Sequence, residues 1–306
     1  MKILLLIPMA DGLTGPAIKY GFEQLGHLVK AVDPRVQPLE EIFPAACEFK
    51  PDLVFCGKEP SLAEPVRRIK QTMKVVACTW NVDTWGKINH WDGLFPLIKA
   101  CDYYFVVASR LIPEWREINK NTFWLPEGLQ IETHDKPKTI TTEDRAKYSC
   151  DVCWIGGRGT IGHEFRDAYL DAVEQMGINF KQWGCRGNPQ IRGGEHDKAV
   201  ALSKINLALS GNPENGQYTS QRNYIILGAG GFLLALARDD RKALFEIFPR
   251  NILDDFTSPQ DLVEKIRYWL PREKERGEYA ERGYKWVREN ATFKHRIKMA
   301  LDYMGM

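Results

Sequence analysis

Apolar residues in this chain gather in short blocks. Residues 2–8, 28–32, 52–56, 74–79 and 102–107 are the first of these. A run that stays apolar on successive positions suits a strand covered on both faces, as in the interior of a parallel sheet. Between the blocks the spacing turns helical. Pro16 stands where a first helical turn loses nothing by its missing N–H. Ser61 and Glu64 predict a capping box ahead of a helix that carries Val66 and Ile69. A second series runs through strands at 151–155, 178–183, 204–209 and 232–235, with helices over 166–176 and 222–227. Ser258, Pro259 and Asp261 open another helix, whose Leu262, Ile266, Trp269 and Leu270 share a face, and helices fill 273–304. Residues 129–148 are polar and aperiodic, and predict a linker or a peripheral excursion. The pattern is α/β, with two doubly wound, Rossmann-like domains. Ligands of such sheets bind outside the carboxyl ends of the strands, which predicts a cleft lined from both domains.

Composition narrows this little. The 306 residues are 44% hydrophobic and 27% charged, ordinary for a globular chain, and the net charge is +2. A global nucleic-acid footprint is therefore absent. Residues 264–298 nevertheless hold eleven basic and six acidic side chains, either a solvated helical face or a weak polyanion-binding patch. The apolar run 3–7 is too short to span a bilayer and is not followed by a cleavage site, so a cytoplasmic protein with no transmembrane segment is expected. The seven cysteines fall in strand-like segments and read as reduced thiols. Cys150 and Cys153 lack a second pair, and alternation along a strand separates them, so no metal site is expected.

The last hundred residues carry the most specific signal. Residues 205–210 (INLALS), 219–224 (TSQRNY), 227–231 (LGAGG), 258–262 (SPQDL) and His295-Arg296 follow one another in a set order. This order resembles the C-terminal domain of the CgeB-like (spore maturation protein type) glycosyltransferases, a GT-B branch related to the retaining group-1 enzymes. The first domain matches more loosely, through Asn81-Val82-Asp83 and residues 125–128 (LPEG). The resemblance implies an acceptor-side domain over 1–138, a nucleotide-sugar-binding domain over 139–287, and a terminal helix (288–306) packing back on the first. It implies sugar transfer from a nucleoside diphosphate sugar to an acceptor hydroxyl (glycan, small molecule or modified DNA base), with retention of configuration and with neither metal nor other cofactor.

Losing a diphosphate leaving group requires amide dipoles and fixed cations near it. Gly156, Gly157 and Arg158 end a strand that feeds a helix and are candidates for that role, as are Ser220 and Arg222 at the start of a later helix. The resemblance sets Arg222 beside the donor phosphates, with Asn223 and Tyr224 next to it. His163 follows the Gly156 turn, and Gly12 and Gly15 lie in the loop after the first strand, without the full dinucleotide fingerprint. Two positions depart from the family. Ile225 stands where a glutamate grips the donor ribose, and Gln217 where related enzymes place a carboxylate. In the first domain Asp83 is a candidate to orient or deprotonate the acceptor, with Trp80 and Trp85 stacking on it. Two other readings remain: a transferase acting on modified DNA bases, motivated by the basic 264–298 stretch, and a non-catalytic coat or assembly protein, motivated by Ile225.

Overall fold

Every apolar block forms a strand, and all strand neighbours run parallel. The computed structural model describes all residues except 84–86, 160–163, 211–215 and 238–240, and the side chain of His90. The chain divides into two compact units: Met1–Gly128 with Glu214–Tyr218 and Thr292–Met306, and Leu129–Pro213 with Thr219–Ala291.

The first unit holds β1 (Lys2–Leu6), β2 (Leu28–Val32), β3 (Leu53–Cys56), β4 (Val76–Asn81), β5 (Tyr103–Val106) and β6 (Thr122–Trp124), in the order β2-β1-β3-β4-β5-β6. Helices α1 (Thr14–Gln24), α2 (Ile42–Phe49), α3 (Ala63–Thr72), α4 (Phe95–Ala100) and α5 (Ile112–Arg116) connect them. Strand residues alternate between two cores: Leu4, Val54 and Tyr104 pack on one face of the sheet, Leu5, Phe55 and Phe105 on the other. The second core is closed by the end of the chain, where Phe293, Ile297, Ala300 and Leu301 of a terminal helix lie against α1. Gly21 on α1 permits this approach, since a Cβ there would sit 3.1 Å from the Phe293 backbone.

The second unit holds β7 (Cys150–Ile155), β8 (Phe180–Trp183), β9 (Ser203–Ala208), β10 (Leu233–Leu236) and β11 (Asp254–Phe256), in the order β11-β10-β9-β7-β8. Its helices are α6 (Thr142–Tyr148), α7 (Arg166–Glu174), α8 (Gly193–Ala201), α9 (Gln221–Gly228), α10 (Arg241–Ile247), α11 (Pro259–Trp269) and α12 (Glu273–Asn290); α13 (Phe293–Met304) returns to the first unit. Ser258 accepts the Asp261 amide at 3.1 Å, capping α11, and Leu262, Ile266 and Trp269 are its buried face.

Several expectations need correction. The 129–148 segment is not all linker, because Thr141 and Asp144 form a reciprocal capping box that starts α6. Ser61 makes no cap, since a 3₁₀ turn over Pro60–Leu62 precedes α3 and Glu64 pairs with Arg67 instead. The units divide at 128/129 and 291/292 rather than near 138 and 287. The Leu129 amide donates to the Ala291 carbonyl at 2.8 Å, so both crossings are pinned together inside the second unit. Cys150 and Cys153 share one cluster with Trp183 and Ala199, contrary to simple alternation. The amides of Asp151 and Val152 both donate to the Asn179 carbonyl, which disturbs the pleat at the start of β7.

Candidate functional site

In an open α/β sheet the crevice opens where the strand order reverses. In the second unit this is between β7 and β9, because β8 lies to one side of β7 and β9, β10 and β11 lie to the other. The carboxyl ends of β7 and β9 and the first turn of α9 meet there. Arg222 is anchored by its Nε, which donates to the Ile155 carbonyl at 2.9 Å, and its guanidinium lies 4.5 Å from the centre of the Trp154 ring. Gly156 makes room for it: a Cβ there would fall 2.6 Å from Arg222 Nη2, and its φ of +150° lies outside the range most side chains allow. Ser220 is the N-cap of α9; its hydroxyl lies 2.5 Å from that of Ser210, which also donates to Asn223 Oδ1 at 3.2 Å. The arrangement places a fixed cation and a helix N-terminus at one strand end, the elements an anionic group needs. Ile225 lies one turn after Arg222 on α9 and is half-buried.

Other sequence candidates in this unit are placed differently. Arg158 does not face an open site: its guanidinium is bound by Asp167 and Glu174, each at 2.8 Å, and by Asp171. These carboxylates recur at near-helical spacing on α7 and neutralise it. Gly157 offers its carbonyl to Arg166 Nη1 at 3.4 Å. Asn223 and Tyr224 are buried, and the Tyr224 ring packs 5.1 Å from Phe248 in the core, so neither presents a surface to a ligand. Gln217 belongs to the first unit, where its amide donates to Ser109 Oγ at 2.9 Å and its carbonyl accepts from Trp124 Nε1 at 2.9 Å. His163 lies outside the described residues.

The first unit has its own crevice at the reversal between β1 and β3. A cavity of about 830 Å³, including space open to solvent, is lined by Gly12, Leu13 and Thr14 after β1, Lys58 and Glu59 after β3, Trp80, Val82 and Asp83 at the end of β4, and Glu127. Gly12 takes φ +78°, which turns the loop, and a Cβ at Gly15 would collide with the Pro8 carbonyl. Asp83 forms an ion pair with Lys58, and Arg35 holds Glu59 at 2.6 Å. Burial lowers the pKa of the Lys58 ammonium; Glu59 opposes this and Arg35 adds to it. Trp80 is a wall residue rather than a stacking platform, because it is buried against Phe293 and its Nε1 donates to the Leu125 carbonyl at 3.1 Å. Trp85 lies outside the described residues.

Residues 166–302 match the model of a family described as glycosyl transferase-like. No curated protein matches the chain. Among solved structures, it is similar to a sucrose-phosphate synthase from Thermosynechococcus elongatus (TM-score 0.69, 11% identity, covering 100% of this chain and 98% of that one). A glycosyltransferase from Rickettsia africae gives a TM-score of 0.68 at 11% identity, covering 99% and 98%. Anabaena Alr3699/HepE in complex with UDP gives 0.65 at 12% identity, with both chains fully covered. The fold is GT-B.

Within this GT-B chain, sequence reasoning passed over several residues that shape the two crevices. Arg166 was visible only as a helix start, yet it is buried, donates through Nε to the Leu209 carbonyl at 3.2 Å, and sets a second guanidinium 5.4 Å from the Trp154 ring. Lys58 had a usable signal, a charged residue directly after an apolar strand and Gly57. Glu127 is buried although it sits in the stretch 125–128 that carried the looser resemblance. Two members of the basic stretch, Arg276 and Arg296, are buried and donate to carbonyls, Arg276 to Leu270 at 2.7 Å and Arg296 to Glu127 at 2.7 Å. No described helix is long and apolar enough to cross a membrane.

Proposed function

We propose that this protein is a glycosyltransferase that moves a sugar from a nucleoside diphosphate sugar to an acceptor hydroxyl. The observation that carries the reading is Arg222, locked over Trp154 at the opening of α9 and falling within the residues that match the glycosyl transferase-like family. The α9 N-terminus and the Arg222 guanidinium stabilise charge that grows on the diphosphate as the sugar departs. UDP is the first nucleotide to try, because the HepE structure holds it.

Finer points belong to the same proposal. Transfer is of the CgeB-like, hexosyltransferase type, needs no metal at the reacting atoms, and takes place in the cytoplasm. Configuration is retained: the bond from the anomeric carbon to the diphosphate breaks, a bond to the acceptor oxygen forms on the same face, and the acceptor proton passes to the departing phosphate oxygen. The acceptor enters the cavity of the first unit, where the Lys58–Asp83 pair orients its hydroxyl. The donor contacts narrow to Arg222, Ser220 and the Gly156 turn, since Arg158, Asn223 and Tyr224 are committed elsewhere.

A screen of donor hydrolysis and transfer across nucleotide sugars tests this, run with the native protein and with Arg222→Ala. Turnover of one donor, reduced about a hundredfold in the folded variant, is the expected result. Equal turnover by the variant removes Arg222 from the site, and an absence of turnover and nucleotide binding in the native protein favours a non-catalytic scaffold.

A further inference from the structure

In the second unit, three chemistry-bearing side chains converge away from the strand ends. His196 and Asp197 are neighbours on α8, and His134 arrives from the loop before α6. All three are buried, with 8%, 4% and 7% of their surface exposed. One ligand-type atom from each lies within 4.8 Å of the others. Asp197 Oδ1 is 2.7 Å from His134 Nδ1 and 3.5 Å from His196 Nδ1, while its Oδ2 accepts the Asp135 amide at 3.1 Å.

A hydrogen-bonded Asp–His pair accounts for His134 and Asp197. It does not account for His196. The Nδ1 of His196 is buried and makes no hydrogen bond, which is costly for an imidazole nitrogen removed from water. It nonetheless points toward the same carboxylate oxygen, and the two rings meet edge-on with centroids 5.5 Å apart. An ion at this convergence gives every one of these atoms a partner. Two imidazoles and one carboxylate suit zinc and its transition-metal neighbours, whereas calcium and magnesium prefer oxygen ligands throughout. The Asp135 amide then orients the ligating carboxylate from behind.

We propose that His134, His196 and Asp197 bind one divalent transition-metal ion of the zinc class. The ion ties α8 to the 131–134 loop. His196 also lines a narrow void with Arg222, so the ion braces the wall beside that arginine without entering the transfer reaction.

The test uses the full chain after chelator treatment, titrated with Co(II) and then Zn(II). Expected are the visible ligand-field bands of four-coordinate Co(II) at one equivalent, their displacement by Zn(II), and a melting temperature raised by about 5–10 °C at a hundredfold excess over Kd. His196→Ala weakens Co(II) binding at least tenfold. Asp197→Asn, which keeps the carboxylate's shape, guards against a variant that fails to fold and weakens binding similarly. The proposal is overturned by native protein that shows neither the bands nor the melting shift, or by folded variants that bind Co(II) as the native chain does.

Discussion

The Arg222 guanidinium lies 4.5 Å from the centre of the Trp154 indole, and the same ring receives Arg166 at 5.4 Å. Both guanidinium groups contact the one buried ring, and each donates through Nε to a backbone carbonyl, Arg222 to Ile155 and Arg166 to Leu209.

Gly156→Ala follows directly from this packing. The added methyl would lie 2.6 Å from Arg222 Nη2 at a φ of +150°, so the guanidinium must move. UDP affinity measured by calorimetry falls about tenfold or more, the equivalent of losing one charge-assisted contact. Unchanged affinity would show that Arg222 is not where the diphosphate binds.

Ile225→Glu places a carboxylate one turn after Arg222, where it can accept the donor's ribose hydroxyls under the proposed function. Ile225 sits one turn after Arg222, half-buried on the same side of α9. Two hydroxyl hydrogen bonds to a carboxylate contribute roughly 1.5–3 kcal/mol, so UDP binds about ten- to a hundredfold tighter. Weaker or equal binding in a folded variant would mean that the ribose lies elsewhere.

Phe293→Ala is the strongest destabilising change foreseen. The ring is 2% exposed in the core between the first sheet and α13, in contact with Trp80 at 5.9 Å. The loss is about 3–5 kcal/mol in chemical denaturation, confined to the transition of the first unit. A loss under about 1 kcal/mol would indicate that α13 is not a working part of that core.

Asp151 supplies a pH-dependent part of stability. Its hydrogen bond to Lys204 at 2.7 Å lowers its pKa; burial opposes this, and the Asn179 amide at 3.1 Å supports it. Because the folded value lies below the unfolded one, the stabilisation is complete above about pH 5 and fades as pH falls through the folded value. Lys204 is half exposed, so the effect is below about 1 kcal/mol. Asp151→Asn is accordingly less stable than the native chain at pH 7, and the gap narrows toward pH 2. A gap that widens on acidification would contradict the assigned sign.

The sheets were legible because a strand buried on both faces has to be apolar at consecutive positions, as 3–6 and 53–56 are. That Arg222 lies in the first turn of a helix was legible from Ser220 before it and the Gly230-Gly231 break after it. Roles decided by long-range partners were not. Arg158 reads as a phosphate ligand until α7 is folded and Asp167, Asp171 and Glu174 line up beneath it. Tyr224 reads as a site neighbour until helical geometry turns it toward Phe248. Gln217 is displaced by topology, since its stretch of chain joins the first unit while both flanks belong to the second. His134 and Asp197 are 63 positions apart, and no local spacing links them.

The return of α13 has a consequence for biosynthesis. Residues 129–291 can collapse around their own sheet as soon as they leave the ribosome, whereas the earlier-made sheet waits with Ile3, Leu5, Phe55 and Phe105 uncovered on one side. The part translated first is thus completed last, and during that delay its bare face is what a holdase chaperone would grip.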